Sequence, residues 1–516
     1  MWFLAGVLML AALALPAADL RADEGMWMPQ QVPELASRLR AMGFQGDPKA
    51  FADLTGQPMG AVVSLGGCSA SFVSPDGLMV TNHHCVTGSL QFNSTPQRNL
   101  LRDGFLARTR EAELSNGPGA RVLVTNSVAD VTDAITGNID AKATDRQRYD
   151  IIERHIKEHV AACEKDGQRC NVASFFGGLK YFEIAQLEIR DVRLVYAPAE
   201  GIGVFGGETD NWRWPRHAGD WSRIRENQQR LQRTLDATLD RALLRWAMGL
   251  AAALPADQRI EALDRVAGLK PGMSKPEAEK AINAYVDGLY AGTKMGDQQF
   301  RLALLEKSAA ELEAAGDSFI ALAASLNPLT ESIKEATKNQ AGAYARLQPR
   351  YMKALLTMAG GLVAPDANST LRVTYGQVKG VEPRDGIFYL PQTTLAGIAE
   401  KNTGEGEFNA PQKELDAIKA LRAGKKTPYV DATLKDVPVN FLSTVDSTGG
   451  NSGSPALNSK GELVGLLFDG TYETVASDYL FDPVKTRSIQ VDSRHMLWAM
   501  TEVDDATNLL KEMGIK

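Results

Sequence analysis

The sequence predicts an α+β fold in which an antiparallel β unit is interrupted by an inserted α-helical block. Three observations lead there. Between Arg223 and Arg350 there are two valines, Val266 and Val286, against 25 alanines, and Phe300–Leu326 carries apolar residues at three- and four-residue spacing, the period of a helix. On either side, short runs such as Ala61-Val-Val-Ser-Leu, Ser71-Phe-Val, Leu78-Met-Val-Thr and Leu463-Val-Gly-Leu-Leu-Phe are rich in strand-forming residues and bounded by Gly, Pro, Asn and Asp. Residues suited to a single chemistry are divided between those two flanks, so one unit with an insertion fits better than three independent domains. The expected organisation is a leader over 1–22, the first part of the β unit over 23–222, a helical domain over 223–368 and the second part of the β unit over 369–516.

The 516 residues, at ~100–200 per domain, allow two or three domains and a large core. Fifty-six basic against 63 acidic residues leave a net charge of −7, which supplies no basic excess to neutralise phosphates and argues against a nucleic-acid partner. The 44% hydrophobic content argues against disorder. Trp2–Ala18 is nearly all apolar and too short for a span of ~20 residues, and small residues at Ala17, Ala18 and Ala22 offer cleavage points, the pattern of a cleavable signal peptide. A periplasmic or secreted protein with no stable membrane span after cleavage is expected. Four cysteines suit two structural disulfides in that compartment. Cys68 and Cys85 bracket a short strand–turn–strand segment, Cys163 and Cys170 close a small loop, and neither pair has the CxxC spacing of a redox or zinc site.

Pro75-Asp76-Gly77 reads as a hairpin turn, and the strand after it is expected to end on His83-His84-Cys85. A Cys68–Cys85 bridge would fix the backbone beside His84, which suits a general base held with little conformational freedom. Ser447-Thr-Gly-Gly-Asn-Ser-Gly-Ser-Pro455 lies in the other flank. A serine is a poor nucleophile without a base to take its proton, and acyl transfer also needs donors for the developing oxyanion. The glycine-rich turn can expose Ser452 and aim the N–H groups of Gly450 and Ser452 at one point. The third member of such a set is a carboxylate that orients the imidazole. The cluster Phe205-Gly-Gly-Glu-Thr-Asp-Asn-Trp-Arg-Trp-Pro-Arg-His-Ala-Gly-Asp-Trp-Ser222 offers Asp210 and Asp220, and spacing alone does not choose between them. The order His, Asp, Ser is that of the chymotrypsin-type arrangement.

These segments resemble the bacterial dipeptidyl-peptidase 7 and 11 family, serine exopeptidases with a chymotrypsin-like double β-barrel interrupted by a helical domain. The resemblance rests on Cys-Ser-Ala-Ser-Phe-Val-Ser-Pro-Asp-Gly with Thr-Asn-His-His-Cys, on Thr-Asp-Asn-Trp-Arg-Trp-Pro-Arg-His-Ala-Gly-Asp and on Thr-Gly-Gly-Asn-Ser-Gly-Ser-Pro. It extends over Thr374–Asn409 and most of the remaining C-terminal flank. It implies His84 as base, Asp220 as orienting carboxylate, Ser452 as nucleophile, and Asn211 and Trp212 as holders of the substrate's free α-amino group. It also implies peptide substrates with a free N-terminus and a helical domain that caps the cleft. The family sorts acidic from apolar penultimate side chains at the position eighteen residues after the nucleophile. Here that is Gly470, which leaves an uncharged pocket and implies an apolar or aromatic preference.

The chain departs from the family in being shorter. It passes from the Asp220 segment into helix within a few residues, and Arg223, Arg225 and Glu226 stand where a closing strand of the first barrel is expected. The second reading is therefore a periplasmic pseudopeptidase or peptide-binding protein that kept the motifs and lost a complete cleft. A metallopeptidase reading rests on His155-Ile-Lys-Glu-His159 alone, which lies in a charged helical stretch and has no distal ligand to nominate. No metal or cofactor is implied, monomer and homodimer both remain open, and His217 and His495 have no evident partner.

Overall fold

The computed structural model describes residues 24–206, 232 and 235–515, apart from positions 118, 166, 306 and 361. The described residues within 1–139, 151–214 and 347–516 form one compact unit, and those within 140–150 and 215–346 form another.

The first unit holds two antiparallel sheets. One contains β1 (Val62–Ser64), β2 (Ser69–Phe72), β3 (Met79–Val80), β4 (Val122–Asp130), β5 (Gln168–Phe175) and β6 (Lys180–Ile189), in the order β3-β2-β1-β4-β6-β5. The turn at Pro75-Asp76-Gly77 joins β2 to β3 as expected, with Ser71 opposite Val80, Phe72 opposite Met79 and Gly77 at φ +90°. The other sheet contains β7 (Gln392–Thr394), β8 (Pro438–Ser443), β9 (Pro455–Leu457), β10 (Leu463–Gly470) and β11 (Ser488–Asp492), in the order β7-β8-β11-β10-β9. Among the described residues neither sheet closes on itself, so the expected double barrel is not seen as two closed barrels. The edge strands β3, β7 and β9 are only two or three residues long, and a ladder that short offers few groups to bridge to the opposite edge.

Each sheet has its own apolar core. Val63, Ala70, Val122 and Val192 are buried on the first, while Leu395, Ile398, Ile418, Val437, Val439 and Trp498 are buried around the second. Both cysteine pairs are bonded, Cys68 to Cys85 and Cys163 to Cys170, the latter tying the end of helix α2 (Asp145–Cys163) to β5.

One expectation is corrected here. The two histidines do not end a strand: β3 stops at Val80, Asn82 takes an extended conformation (φ −76°, ψ 155°) as the cap, and helix α1 (His83–Asn93) begins on the first histidine. The Asn82 side chain makes no capping bond, and the two histidines fall in the first turn of the helix.

The second unit is helical throughout its described residues from 235 onward, with α3 (Ala237–Ala252), α4 (Lys275–Ala291) and the first part of α5 (Ser318–Met358) as its longest elements. Met248, Ala267, Ile282 and Val286 form its core. Ser274 and Glu277 form a reciprocal capping box at the start of α4.

Candidate active site

The Cys68–Cys85 disulfide is where the two halves of the β unit meet. Ser69 follows Cys68 into β2, and its N–H donates to Ser452 O at 2.7 Å while its hydroxyl donates to Gly450 O at 3.1 Å. Cys85 Sγ lies 4.0 Å from Ser452 O. A ring nitrogen of His84 lies within 4.8 Å of both sulfurs of the same disulfide. That trio of Cys68, His84 and Cys85 has metal-ligand proximity, but both thiols are committed to the disulfide and leave no thiolate for a metal.

The loop that carries Ser452 is shaped by its own glycines and asparagine. Asn451 Oδ1 accepts the Thr448 N–H at 3.0 Å, and Asn451 O accepts the Ser454 N–H at 2.8 Å. Gly450 adopts φ +101° and Gly453 φ +84°, both in the region that disfavours a Cβ. Gly453 is also packed too closely for any side chain, since a Cβ there would come 2.0 Å from Ser69 O and 2.3 Å from Thr81 Oγ1. Its N–H donates to Leu467 O, and Leu467 N–H donates back to Ser454 O, which seats the loop on β10. The N–H groups of Gly450 and Ser452 and the Ser452 hydroxyl have no hydrogen-bond partner among the described residues.

The adjacent histidines have different surroundings. His83 Nε2 lies 3.2 Å from Pro198 O, so that nitrogen carries the proton, and its ring is pressed on Gly203, where a Cβ would come 2.3 Å from Cδ2. Its Nδ1 is buried with no partner among the described residues. Burial holds the imidazole below the usual histidine range, against the bond to Pro198 and with a small addition from His84. His84 is exposed, beside the disulfide.

Asp210, Asn211, Trp212, His217 and Asp220 lie outside the described residues. The chain that leads to them is anchored: Gly206 N–H donates to Glu407 O at 2.8 Å, and Phe205 meets Phe408 edge-on at 5.6 Å. Gly470 ends β10 opposite Ser488. A Cβ at Gly470 would come 2.8 Å from the Thr474 side chain. Asp469 beside it donates no charge cheaply, since burial pushes its carboxyl up to about 6 against the pull of the Gly470 N–H.

The H-x-x-E-H residues are held separately: His155 Nδ1 lies 2.9 Å from Ile135 O and His159 Nδ1 lies 3.3 Å from Glu183 Oε2. His495 does have a partner that sequence reading did not supply, the buried Glu414 at 3.8 Å, with Trp498 stacked on its ring. Ser69 and Thr81 were also missed. The position of Ser69 next to a bridging cysteine was the one signal available.

The chain belongs to the peptidase S46 family, whose model matches residues 22–226 and 221–515. It is 31% identical to an Asp/Glu-specific dipeptidyl-peptidase of Shewanella putrefaciens, over 99% of each chain, and 25% identical to a dipeptidyl-peptidase 7 of Phocaeicola vulgatus, again over 99% of each. The crystal structure of Porphyromonas endodontalis DPP11 in complex with the dipeptide Arg-Glu matches with a TM-score of 0.72 and 24% identity, covering 96% of this chain and all of that one, a likeness of fold. The alignment to the Shewanella protein has 737 positions, so at least 221 of them face no residue of this 516-residue chain. The two family matches meet at 221–226. The chain is a serine exopeptidase of the dipeptidyl-peptidase type. Among the described residues no helix is long and apolar enough to cross a membrane.

Proposed function

We propose that this S46 peptidase releases dipeptides through Ser452 as nucleophile, His84 as general base and Asp220 as the carboxylate that orients His84. The observation that carries the reading is the convergence of the Ser452 loop and the His84 helix on the Cys68–Cys85 disulfide. In the reaction Ser452 Oγ attacks the carbonyl carbon of the second residue and gives its proton to His84. The carbonyl oxygen becomes an oxyanion that takes the Gly450 and Ser452 N–H groups, both free of competing acceptors among the described residues. His84 returns the proton to the leaving amine, and water then hydrolyses the acyl-enzyme with His84 again as base. Asn211 and Trp212 hold the substrate's α-amino group through a side-chain amide oxygen and a backbone carbonyl, acceptors that satisfy its N–H groups without a buried charge on the protein.

The preference assigned to the pocket is for apolar or aromatic penultimate residues. Gly470 brings no cation to pair with a carboxylate. The Shewanella relative is an Asp/Glu-specific enzyme, which supports the opposite preference.

A fluorogenic dipeptide panel, free and N-blocked, separates the two with purified protein and its Ser452→Ala variant. The expected result is cleavage of free-amine substrates with apolar penultimate residues, reduced in the variant to the ~10³–10⁴-fold residual over water left when a triad member is removed. Faster cleavage of Asp or Glu substrates would overturn the pocket assignment, and activity that survives Ser452→Ala would overturn the nucleophile. Cleavage of blocked substrates would place the amine site in the missing stretch.

A further inference from the structure

A hydrogen bond across 421 residues connects the N-terminal segment to the approach to Ser452: Gly25 N–H donates to Asp446 Oδ2 at 3.0 Å. The Ser447 N–H also turns toward that carboxylate. Burial raises the Asp446 carboxyl above its ordinary range, and Glu24 and Asp478 add to this, so the charge sits where solvent does little for it and its protein donors matter.

The residues around Asp446 are each tied to the body of the unit. Thr444 N–H donates to Gln377 O and Gln377 N–H to Thr444 Oγ1, both at 3.0 Å. Ser488 Oγ lies 2.7 Å from Ser447 Oγ and donates to Val445 O at 2.8 Å. Asp446 reaches the N-terminal segment, which is firmly seated. Trp27 and Val373 exchange two backbone bonds of 2.8 Å, Arg372 Nη1 donates to Met26 O at 2.8 Å, and the Trp27 ring is buried with Val32, Leu35 and Leu39. Gly25 adopts φ +119°, and a Cβ on it would come 2.7 Å from Ala364 Cβ, so only glycine brings its N–H this close.

We propose that Asp446 is a positioning residue for the nucleophile loop and that Glu24–Met28 is the brace that holds it. Resting on the reading of Ser452 as nucleophile, this gives the N-terminal segment a part in catalysis without contact to substrate. With the brace seated, Ser447 is fixed from both sides, and the turn from Thr448 to Ser452 starts from a defined point. Without it, the Gly450 and Ser452 N–H groups lose their common aim.

The test uses the full chain with Asp446→Ala, Asp446→Asn and Gly25→Ala, reading kcat and KM separately, melting temperature, and the rate at which a fluorophosphonate labels Ser452. Asp446→Ala and Gly25→Ala should each lower kcat and the labelling rate by about 10²-fold, the loss attached to a misplacement of about 1 Å, with KM nearly unchanged. Asp446→Asn keeps an acceptor for the Gly25 N–H and should recover most of that loss, a rescue that a merely structural carboxylate would not require. Should Asp446→Ala not fold, Gly25→Ala and Asp446→Asn carry the test alone. Wild-type protein that is not labelled would overturn the nucleophile reading and this inference with it. Labelled wild type beside Asp446→Ala or Gly25→Ala labelled at the same rate would overturn the positioning role only, as would a loss confined to KM.

Discussion

Gly453→Ala is the substitution whose effect the structure defines most sharply. A Cβ at this position meets Ser69 O at 2.0 Å, and ordinary contact begins at 3.4 Å, so about 1.4 Å of separation must open between the Ser452 loop and β2. Ser69 O is a poor candidate to yield. It already accepts the Thr81 hydroxyl at 2.7 Å, its residue pairs with Ser64 in the β1–β2 ladder, and Cys68 beside it is bridged to Cys85. The displacement therefore falls on the loop, one residue from Ser452, the proposed nucleophile.

Two costs add on the stability side: roughly 1–2 kcal/mol for an alanine at positive φ, and roughly 1–3 kcal/mol for overpacking. On the activity side a shift of about 1 Å costs about 10²-fold in rate. The assay is kcat/KM on the preferred dipeptide substrate together with a thermal melt. Thr81→Ala in the same background removes the 2.3 Å contact and leaves the 2.0 Å one, so it should not restore activity. A Gly453→Ala protein with an unchanged melting temperature and kcat/KM within threefold would refute the reasoning, and so would full rescue by Thr81→Ala.

The two disulfides give a second contrast. They close loops of 17 and 7 residues, so chain entropy separates their contributions by less than about 1 kcal/mol, on a scale of roughly 2–3 kcal/mol each. Converting Cys68 and Cys85 to serine should nonetheless lower kcat at least tenfold well below the melting temperature, while the same change at Cys163 and Cys170 should leave kcat alone; equal effects on kcat would remove the special role of the first bridge. Asp469 sets a pH dependence of stability. Its carboxyl titrates at about 6 when folded and at 3.8 ordinarily, so the folded state binds the extra proton between those values. The stability this contributes is complete below pH 3.8 and is lost as pH rises through 6, at most roughly 3 kcal/mol by linkage and nearer ~1 kcal/mol once solvent screening of a partly exposed group is allowed for. Asp469→Asn should flatten that interval in chemical denaturation at pH 4 to 7, and an unchanged slope would exclude Asp469 as its source.

What could be read from the sequence was local. The alanine-rich, valine-poor block folds as helices, Pro75-Asp76-Gly77 turns a hairpin, and the cysteines pair as their spacing indicated, because each depends on residues near in sequence. The strand end expected at His83-His84 is a helix start, with Asn82 extended before it and no side-chain cap bond from it, so no local signal in the β-rich run marked the change. Barrel closure was not legible, since it depends on which distant edges find each other. The same holds for Ser69 on Ser452, Gly25 on Asp446 and Glu414 beside His495, pairs far apart in the chain that no motif or period marks.

The missing stretch bears on what the shortened chain retains. The family matches meet at 221–226, and the joints described in this unit use residues before or well after that point: Cys68 to Cys85, Ser69 to Ser452, Thr81 to Ser69, Gly25 to Asp446 and Phe205 to Phe408. Among the described residues, the turn geometry of the Ser452 loop and the placing of the His84 helix against the disulfide are set by contacts within the two flanks. The proposed amine site, Asn211 and Trp212, lies outside the described residues and next to where the two family matches meet, so the blocked-substrate arm of the dipeptide panel is the measurement that tests it.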